Sequence, residues 1–253
     1  MCRGILRAGL YAPETVLAAD ISAERRELFV KALGVEAVEQ AADAVRRSDV
    51  AVLAVKPQHM AGVLGAIGPH VRPDHLIISI AAGVPTRRIE DACATPPRVV
   101  RVMPNTPMLV GRGMSAVCAG RFARPDDLQH ALAVCRCAGE AVVVQEKDMD
   151  AVTAVSSSGP AYFFFLVERL IEAGVAEGLD PAVAAALAKQ TALGAAEMML
   201  ASTDPPEQLR RKVTSPGGTT EAAFKLLAEH QAAQAWTAAV RRAAERSREL
   251  GRQ

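Results

Sequence analysis

The chain has 253 residues, half of them apolar, and a formal net charge of +1. A chain of this length and composition can bury a sizeable core in one large or two ordinary domains, which excludes a disordered protein. The nearly balanced charge and an aromatic content of 4% argue against a dedicated surface for nucleic acid or for an anionic membrane.

The spacing of cysteine and histidine predicts no metal site. The five cysteines are scattered and odd in number, and neither they nor the five histidines show ligand spacing. We therefore expect reduced, buried thiols in a cytoplasmic protein. Nothing that resembles a signal peptide opens the chain, and the longest strongly apolar run, residues 161–167, is too short to span a bilayer.

The first half of the chain alternates short apolar strands with helices. Strands are predicted at 15–20, 49–55, 75–81, 98–103, 113–119 and 141–144. Helices are predicted at 1–9, 22–33, 40–47, 57–67, 85–93 and 125–138. Apolar strands that alternate with helices in this way indicate parallel βαβ units.

The second half of the chain lacks strand patterns from about residue 148. Helices are predicted at 159–178, 181–202, 205–212, 219–229 and 231–249. We therefore predict an α/β domain over residues 1–146, followed by an all-helical domain over residues 147–253. The Ala-rich stretch 182–196 consists of good helix formers with small side chains, which suits close helix packing between subunits.

The run VTSPGGTT at residues 213–220 concentrates hydroxyl and glycine residues within the helical half. A Pro-Gly-Gly loop that opens a helix leaves backbone N–H groups unpaired at the positive end of the helix, where a carboxylate is favoured. An N-cap after a tight turn is the simpler interpretation, but an N-cap needs only one Ser or Thr. The surplus of hydroxyls and glycines therefore favours a ligand site.

Three of the predicted strands end in residues that suit a cofactor. Lys56 lies where a strand passes into a helix, residues 81–83 are small enough to let another molecule approach the backbone, and Asn105 stands between two prolines. Taken singly, these residues also fit a solvated strand end, a turn and a loop. Ligands of open parallel sheets bind beyond the carboxyl ends of the strands, so the three together predict a cofactor crevice. The serine-rich run at 156–162 fits either a helix cap or part of a site.

These segments, in this order, resemble the pyrroline-5-carboxylate reductase family. The resemblance is carried by LAVKPQ at 53–58, SIAAGV at 79–84, RVMPNTP at 101–107, SSSGPAYFF at 156–164 and VTSPGGTT at 213–220. It extends over essentially the whole chain. It implies a Rossmann-like α/β domain, a helical dimerisation domain, and hydride transfer from NADPH, or from NADH, to the cyclic imine 1-pyrroline-5-carboxylate, which gives L-proline.

The resemblance also implies roles for individual residues. The cofactor would be bound by Ala54, Val55, Lys56, Pro57, Ile80, Ala81, Ala82 and Asn105. The substrate would be bound by Ser215, Gly217, Gly218, Thr219 and Thr220. Thr220 would be the catalytic residue, because its hydroxyl could hydrogen-bond the ring nitrogen as the charge of that nitrogen changes. The family pattern includes no metal, and it implies a homodimer or a higher homo-oligomer formed through the helical domain.

The sequence departs from the family pattern at its start. The family opens with a strand and a glycine-rich turn that presents amides to the cofactor's pyrophosphate, and neither precedes the helix predicted at 1–9. We therefore expect a misassigned start or a truncated chain in preference to a naturally short form. The strands at 15–20 and 49–55 should then lack the neighbour that they would otherwise share.

Three interpretations remain open. The chain is an active reductase, a truncated homologue that is catalytically impaired and acts only by association, or a related NADP-linked reductase with another substrate. The TSPGGTT run argues against the last, because relatives that act on hydroxy acids would be expected to use Lys or Asn in the helical domain. Asp20 at the end of its strand favours NADH, whereas Arg25 and Arg26 could accept the 2′-phosphate of NADPH.

Overall fold

The structure, a computed structural model, describes residues 1–251. It divides into two compact units: unit 1 consists of Met1–Ser157 together with the end of the chain from Ala243, and unit 2 is Ser158–Arg242. The predicted division into residues 1–146 and 147–253 differs from this one at two places, because residues 147–157 and the end of the chain from Ala243 belong to unit 1. Residues 147–157 belong there because Met149 is buried in a cluster with Met103 of the sheet.

Unit 1 contains seven strands, and helices precede or follow most of them. The strands are β1 (Leu17–Ala19), β2 (Glu36–Val38), β3 (Val50–Leu53), β4 (Leu76–Ser79), β5 (Arg98–Met103), β6 (Gly113–Ala119) and β7 (Gly139–Val143). The helices are α1 (Cys2–Arg7), α2 (Ala23–Leu33), α3 (Ala41–Arg46), α4 (Met60–Ile67), α5 (Thr86–Asp91), α6 (Pro125–Arg136) and α7 (Met149–Val152). A π-helical turn at Thr153–Ser157 follows α7.

Helix α2 illustrates how the local sequence sets the ends of an element. Ser22 begins the helix, because its Oγ accepts a hydrogen bond from the backbone N–H of Arg25. Gly34 ends it in the left-handed conformation with φ 67°, which glycine adopts without steric cost. Both ends confirm the predicted helix.

The strands form two separate sheets. β1 pairs in parallel with β2, and the second sheet has the order β3-β4-β5-β6-β7. β3, β4 and β5 are parallel, but β6 runs antiparallel to β5, and β7 is parallel to β6. The expectation of parallel units alone is therefore wrong for the pair β5 and β6. Residues 104–112 connect these two strands with a single 3-10 turn, which is too short for the crossover that a parallel neighbour requires.

β1 and β3 share no neighbour among the described residues. β1 pairs with β2 and β3 pairs with β4, so one edge of each strand lacks a ladder partner within residues 1–251. The strands predicted at 15–20 and 49–55 thus lie in different sheets. Val52, in the middle of β3, is exposed although Leu53 beside it is buried.

The larger sheet is covered by helices on both faces. Ile77 of β4 packs in one cluster with Met60 and Ile89, from α4 and α5. Ile78, the next residue, packs in a second cluster with Leu132 of α6, on the opposite face. Because successive strand residues point to opposite faces, the two clusters place helices on both sides of the sheet. The fold class predicted for the first half, a Rossmann-like α/β domain, is confirmed.

The second half of the chain is helical, as predicted. Its helices are α8 (Gly159–Ala176), α9 (Pro181–Ala201), α10 (Pro206–Lys212), α11 (Thr219–Glu229) and α12 (Ala232–Gly251), which continues from unit 2 into unit 1. In α8 and α9 the buried residues are small, and large apolar side chains such as Phe164 and Leu200 are exposed. No helix in the described part of the chain is both long and apolar enough to cross a membrane.

Candidate active site

The carboxyl ends of β3 and β4 lie side by side. Leu53 is in register with Ser79, so residues 54–57 and 80–82 leave the sheet at the same edge. The Oγ of Ser79 accepts a hydrogen bond of 3.4 Å from the backbone N–H of Ala81, where the chain turns out of the strand. The predicted cofactor residues of these two strands are therefore brought together.

The composition of this edge suits a dinucleotide. Ala81 is only 2% exposed, while Ile80 and Ala82 are half-buried, so small side chains leave the backbone approachable. Lys56 is exposed, precedes the turn that begins at Pro57, and forms no ion pair with any described residue. A cation beside an approachable backbone, at the carboxyl edge of parallel strands, fits a polyanionic dinucleotide cofactor.

The first turn of α2, which follows β1, carries the two arginines that could select a phosphorylated cofactor. The guanidinium of Arg26 is already hydrogen-bonded within the protein, since its Nη1 donates to the carbonyl oxygens of Asp20 and Ile21 at 2.8 and 3.0 Å. The side chain of Arg25 is 74% exposed and lies 3.8 Å from the Asp20 carboxylate. The other oxygen of that carboxylate accepts from the backbone N–H of Ser22. Arg25 is thus the accessible cation at this strand end.

Asn105 connects two segments of unit 1. Its Oδ1 accepts a hydrogen bond of 2.8 Å from the backbone N–H of Met114, at the start of β6. Its Nδ2 donates to the carbonyl oxygen of Ser156 at 3.2 Å, in the π-helical turn after α7. Nδ2 also donates to Oγ of Ser156 at 3.4 Å, and together these partners fix the orientation of the amide. The sequence predicted a cofactor contact for Asn105 but not this bridge.

The predicted substrate residues lie together in the loop between α10 and α11. Gly217 has φ +71°, and a Cβ atom at Gly218 would lie 2.5 Å from Oγ of Ser215 and 3.0 Å from its carbonyl oxygen. The first position therefore favours glycine for its backbone angle and the second requires it for space. The loop presents bare backbone at both positions.

Thr219 and Thr220 form the first turn of α11. The first hydrogen bond of this helix runs from the N–H of Ala222 to the carbonyl oxygen of Gly218, so the N–H groups of both threonines lack an intrahelical acceptor. Glu221 folds back, and its Oε2 accepts from the N–H of Gly217 at 2.7 Å. The sequence analysis missed this carboxylate, although its spacing of four residues from Gly217, in the first helical turn, indicates such a contact.

A partly buried ion pair lies behind the proposed cofactor edge. Arg101 of β5 donates from Nη1 to Oε1 of Glu146 at 2.8 Å, and Thr86 at the start of α5 also donates to Glu146. The sequence analysis did not single out this cluster. The sequence feature that indicates this cluster is Arg101, a charged residue in the middle of the mostly apolar strand sequence RVVRVM.

The buried thiols of unit 1 are protonated at neutral pH. Burial raises the pKa of Cys118 to about 12, and the nearby Glu146 carboxylate acts in the same direction. Burial also raises the pKa of Cys135 to about 11. A thiol is nucleophilic as its thiolate, so neither residue is suited to covalent catalysis.

Two family descriptions match the chain. Residues 146–250 match the family described as "Pyrroline-5-carboxylate reductase dimerisation". Residues 1–83 match the family described as "NADP oxidoreductase coenzyme F420-dependent". The two matches fall in the helical and the α/β parts of the chain, respectively.

Known proteins resemble the chain over nearly its whole length. Pyrroline-5-carboxylate reductase of Methanosarcina acetivorans is 42% identical over 252 residues, which cover 100% of this chain and 93% of the relative. The enzyme of that name from Pseudomonas aeruginosa is 43% identical over 253 residues, covering 98% of this chain and 93% of the relative.

Solved structures give the same result. The pyrroline carboxylate reductase of Plasmodium falciparum, with NADP bound, has 32% identity and a TM-score of 0.88, and the match covers 99% of this chain and 92% of that one. The pyrroline-5-carboxylate reductase of Coxiella burnetii has 35% identity and a TM-score of 0.89, covering 98% of this chain and 93% of that one. The chain belongs to the pyrroline-5-carboxylate reductase family.

Proposed function

We propose that the chain is an NADPH-dependent pyrroline-5-carboxylate reductase, which reduces the imine carbon of 1-pyrroline-5-carboxylate and gives L-proline. The observation that carries the proposal is the loop between α10 and α11. It combines the bare backbone of Gly217 and Gly218 with the free N–H groups and hydroxyls of Thr219 and Thr220. A small ring with a carboxylate needs such a surface.

The proposed cofactor residues lie in unit 1. When bound, NADPH supplies the hydride from its nicotinamide ring. Residues 54–57 and 80–82 would line the dinucleotide, and Asn105 would help to hold its nicotinamide end. A preference for NADPH over NADH is supported by the accessible Arg25, whose guanidinium suits the 2′-phosphate.

The proposed substrate residues lie in unit 2. The carboxylate of the imine would accept hydrogen bonds from the first N–H groups of α11 and from the hydroxyls of Ser215 and Thr219. The hydroxyl of Thr220 would hydrogen-bond the ring nitrogen, whose positive charge disappears as the hydride reaches the adjacent carbon. Catalysis would therefore rest mainly on positioning the imine.

The proposed enzyme works as a homodimer or a higher homo-oligomer in the cytoplasm. Self-association is supported by the match of residues 146–250 to a dimerisation family and by the exposed apolar side chains of α8 and α9. A cytoplasmic location is supported by the five cysteines, all of which are free thiols.

Oxidation of NADPH by the purified chain, followed by the loss of nicotinamide absorbance, tests the proposal. We expect oxidation that depends on 1-pyrroline-5-carboxylate. The matched control is 1-pyrroline, which has the same ring without the carboxylate, and its KM should be at least about tenfold higher because it cannot use the loop amides. No oxidation with either imine would contradict the proposal. A thermal shift with NADPH alone would then show whether the chain still binds the cofactor.

A further inference from the structure

One carboxylate connects three segments of unit 1 that are far apart in the sequence. Oε1 of Glu146 accepts from Nη1 of Arg101 at 2.8 Å and from the backbone N–H of Thr86 at 3.3 Å. Oε2 of Glu146 accepts from the hydroxyl of Thr86 at 2.7 Å. Arg101 and Thr86 are each only 5% exposed, while the Glu146 side chain is 33% exposed, so these bonds are partly shielded from water.

The donors place Glu146 directly behind the proposed cofactor edge. Thr86 is the first residue of α5, and residues 80–85, here called the cofactor loop, join β4 to it. Arg101 lies on β5, in register with Ser79 at the end of β4. Glu146 therefore binds Thr86, which directly follows the cofactor loop. It also binds Arg101 on β5, the strand that pairs with β4 where the loop begins.

A second contact holds the middle of the cofactor loop. Gly83 has φ +72°, and a Cβ atom there would lie 3.5 Å from the backbone nitrogen of Gly251 and 3.5 Å from Cβ of Leu250. The end of α12 is itself attached to unit 1, because the Oγ of buried Ser247 donates to Oδ1 of Asp150 at 2.6 Å. The loop is thus held from outside at two points.

The cofactor loop is anchored by buried Val84 and, in addition, by these outside contacts. Its residues 80–83 are Ile, Ala, Ala and Gly, so three of the four have little or no side chain with which to fix the backbone. A mobile loop would have to be ordered when a ligand binds, and that ordering lowers the affinity. A loop that is already fixed keeps its backbone in the binding geometry.

We infer that Glu146 is a positioning residue, which acts through Thr86 to hold the cofactor loop in the conformation that binds NADPH. The inference rests on the proposed function, because it takes NADPH as the ligand of this loop. Glu146 touches neither cofactor nor substrate in this role. It determines cofactor affinity through the loop.

Thr86 offers a cleaner test than Glu146 does. Nε and Nη2 of Arg101 are buried without a hydrogen-bond partner among the described residues, so removal of Glu146 would leave a buried charge unpaired. Such a variant would be destabilised for reasons unrelated to the loop. Thr86→Val removes only the hydroxyl at nearly constant shape, and Thr86→Ser keeps the hydroxyl as the matched control.

The experiment compares the wild-type chain with T86V and T86S in two kinds of measurement, the constants for the two ligands and amide hydrogen exchange. We expect T86V to raise the Kd of NADPH about tenfold while the KM of the imine stays unchanged. We also expect amide hydrogen exchange in residues 80–86 of the free protein to become faster in T86V. T86S should match the wild type in both measurements.

The outcomes separate this inference from the proposed function. The inference is overturned if T86V binds NADPH as the wild type does. It is also overturned if the Kd of NADPH and the KM of the imine rise together in T86V with a general loss of stability. If the wild-type chain does not bind NADPH, the proposed function and the affinity role fail together. Hydrogen exchange without cofactor then still decides whether the Thr86 hydroxyl holds the loop, and unchanged exchange in T86V would contradict that as well.

Discussion

At the scale of single residues, the proposed substrate loop between α10 and α11 already binds one carboxylate. The N–H of Gly217 donates to Glu221 at 2.7 Å, so the backbone of this loop has the geometry to satisfy such a group. Both residues at this contact are solvent-accessible, and an accessible hydrogen bond of this kind contributes little to stability. A substrate carboxylate could therefore displace Glu221 at small cost.

The Thr220 hydroxyl is the group that we expect to matter most for the chemical step. Thr220→Ala should lower kcat/KM by about 100-fold, because a hydrogen bond to the nitrogen whose charge changes is lost. Thr220→Ser retains the hydroxyl and should stay close to the wild type. Steady-state kinetics with NADPH and 1-pyrroline-5-carboxylate measures both variants, and an unchanged kcat/KM for the alanine variant would refute this role.

Gly218 tests the need for bare backbone in the loop. In Gly218→Ala the new Cβ would meet Oγ of Ser215 at 2.5 Å, so the loop must shift. We expect the KM of the imine to rise about tenfold or more while the Kd of NADPH stays unchanged. Gly62→Ala is the matched control, because Gly62 lies in α4 with open space around it. The control should leave both constants unchanged, and an equal effect of the two substitutions would contradict the argument.

At the scale of elements, periodicity and capping predicted most helices to within a few residues. Short-range patterns could not predict the direction in which each strand runs in the sheet. β2 was not predicted, because three residues are too few to show alternation. The direction of β6 depends on the absence of a crossover after β5, which the strand sequences do not contain. The bridge made by Asn105 depends on Ser156, 51 residues away, and no local pattern indicates it.

The start of β4 gives the protein a stability that depends on pH. His75 is buried, and its Nδ1 accepts from the backbone N–H of Arg72 at 2.9 Å. Burial lowers its pKa below the ordinary value of 6.5; Arg72 acts in the same direction, and Asp74 and Asp49 oppose it. The native state therefore favours the neutral ring, whereas the unfolded chain takes up a proton near pH 6.5. The contribution of the neutral His75 ring to the free energy of unfolding is complete above pH 6.5 and is lost as the pH falls below that value.

Urea unfolding at several pH values measures this effect. We expect the free energy of unfolding of the wild type to fall as the pH drops from about 7.5 to about 5. His75→Asn keeps an acceptor for the Arg72 N–H and cannot titrate, so its stability should fall less over the same range. Parallel curves for the two proteins would contradict a role for His75.

At the scale of the whole molecule, the apolar side chains of unit 2 need a covering surface. The side chain of Phe164 is 63% exposed in the single chain, and its neighbours Phe163 and Phe165 are exposed as well. An exposed apolar surface of this kind marks an interaction site. A second copy of the chain is the partner that the dimerisation match supports.

Substitution of Phe164 by Glu tests this interface. Burying a carboxylate between apolar helices is unfavourable, so we expect Phe164→Glu to shift the molar mass measured by light scattering towards the monomer. Leu28→Glu is the control, because Leu28 is a similarly exposed apolar residue on α2 in unit 1. It should keep the mass of the wild type. A wild-type mass for Phe164→Glu would exclude this part of α8 from the interface.

The transfer of deuterium from NADPH that carries deuterium in place of both hydrogens at C4 of the nicotinamide ring tests direct hydride delivery to the imine. The chain would be incubated with the labelled cofactor and 1-pyrroline-5-carboxylate in ordinary water, and the product analysed by mass spectrometry. We expect L-proline that carries a single deuterium, on the carbon that was the imine carbon. Unlabelled proline, or no proline while the cofactor remains unoxidised, would contradict the proposed reaction.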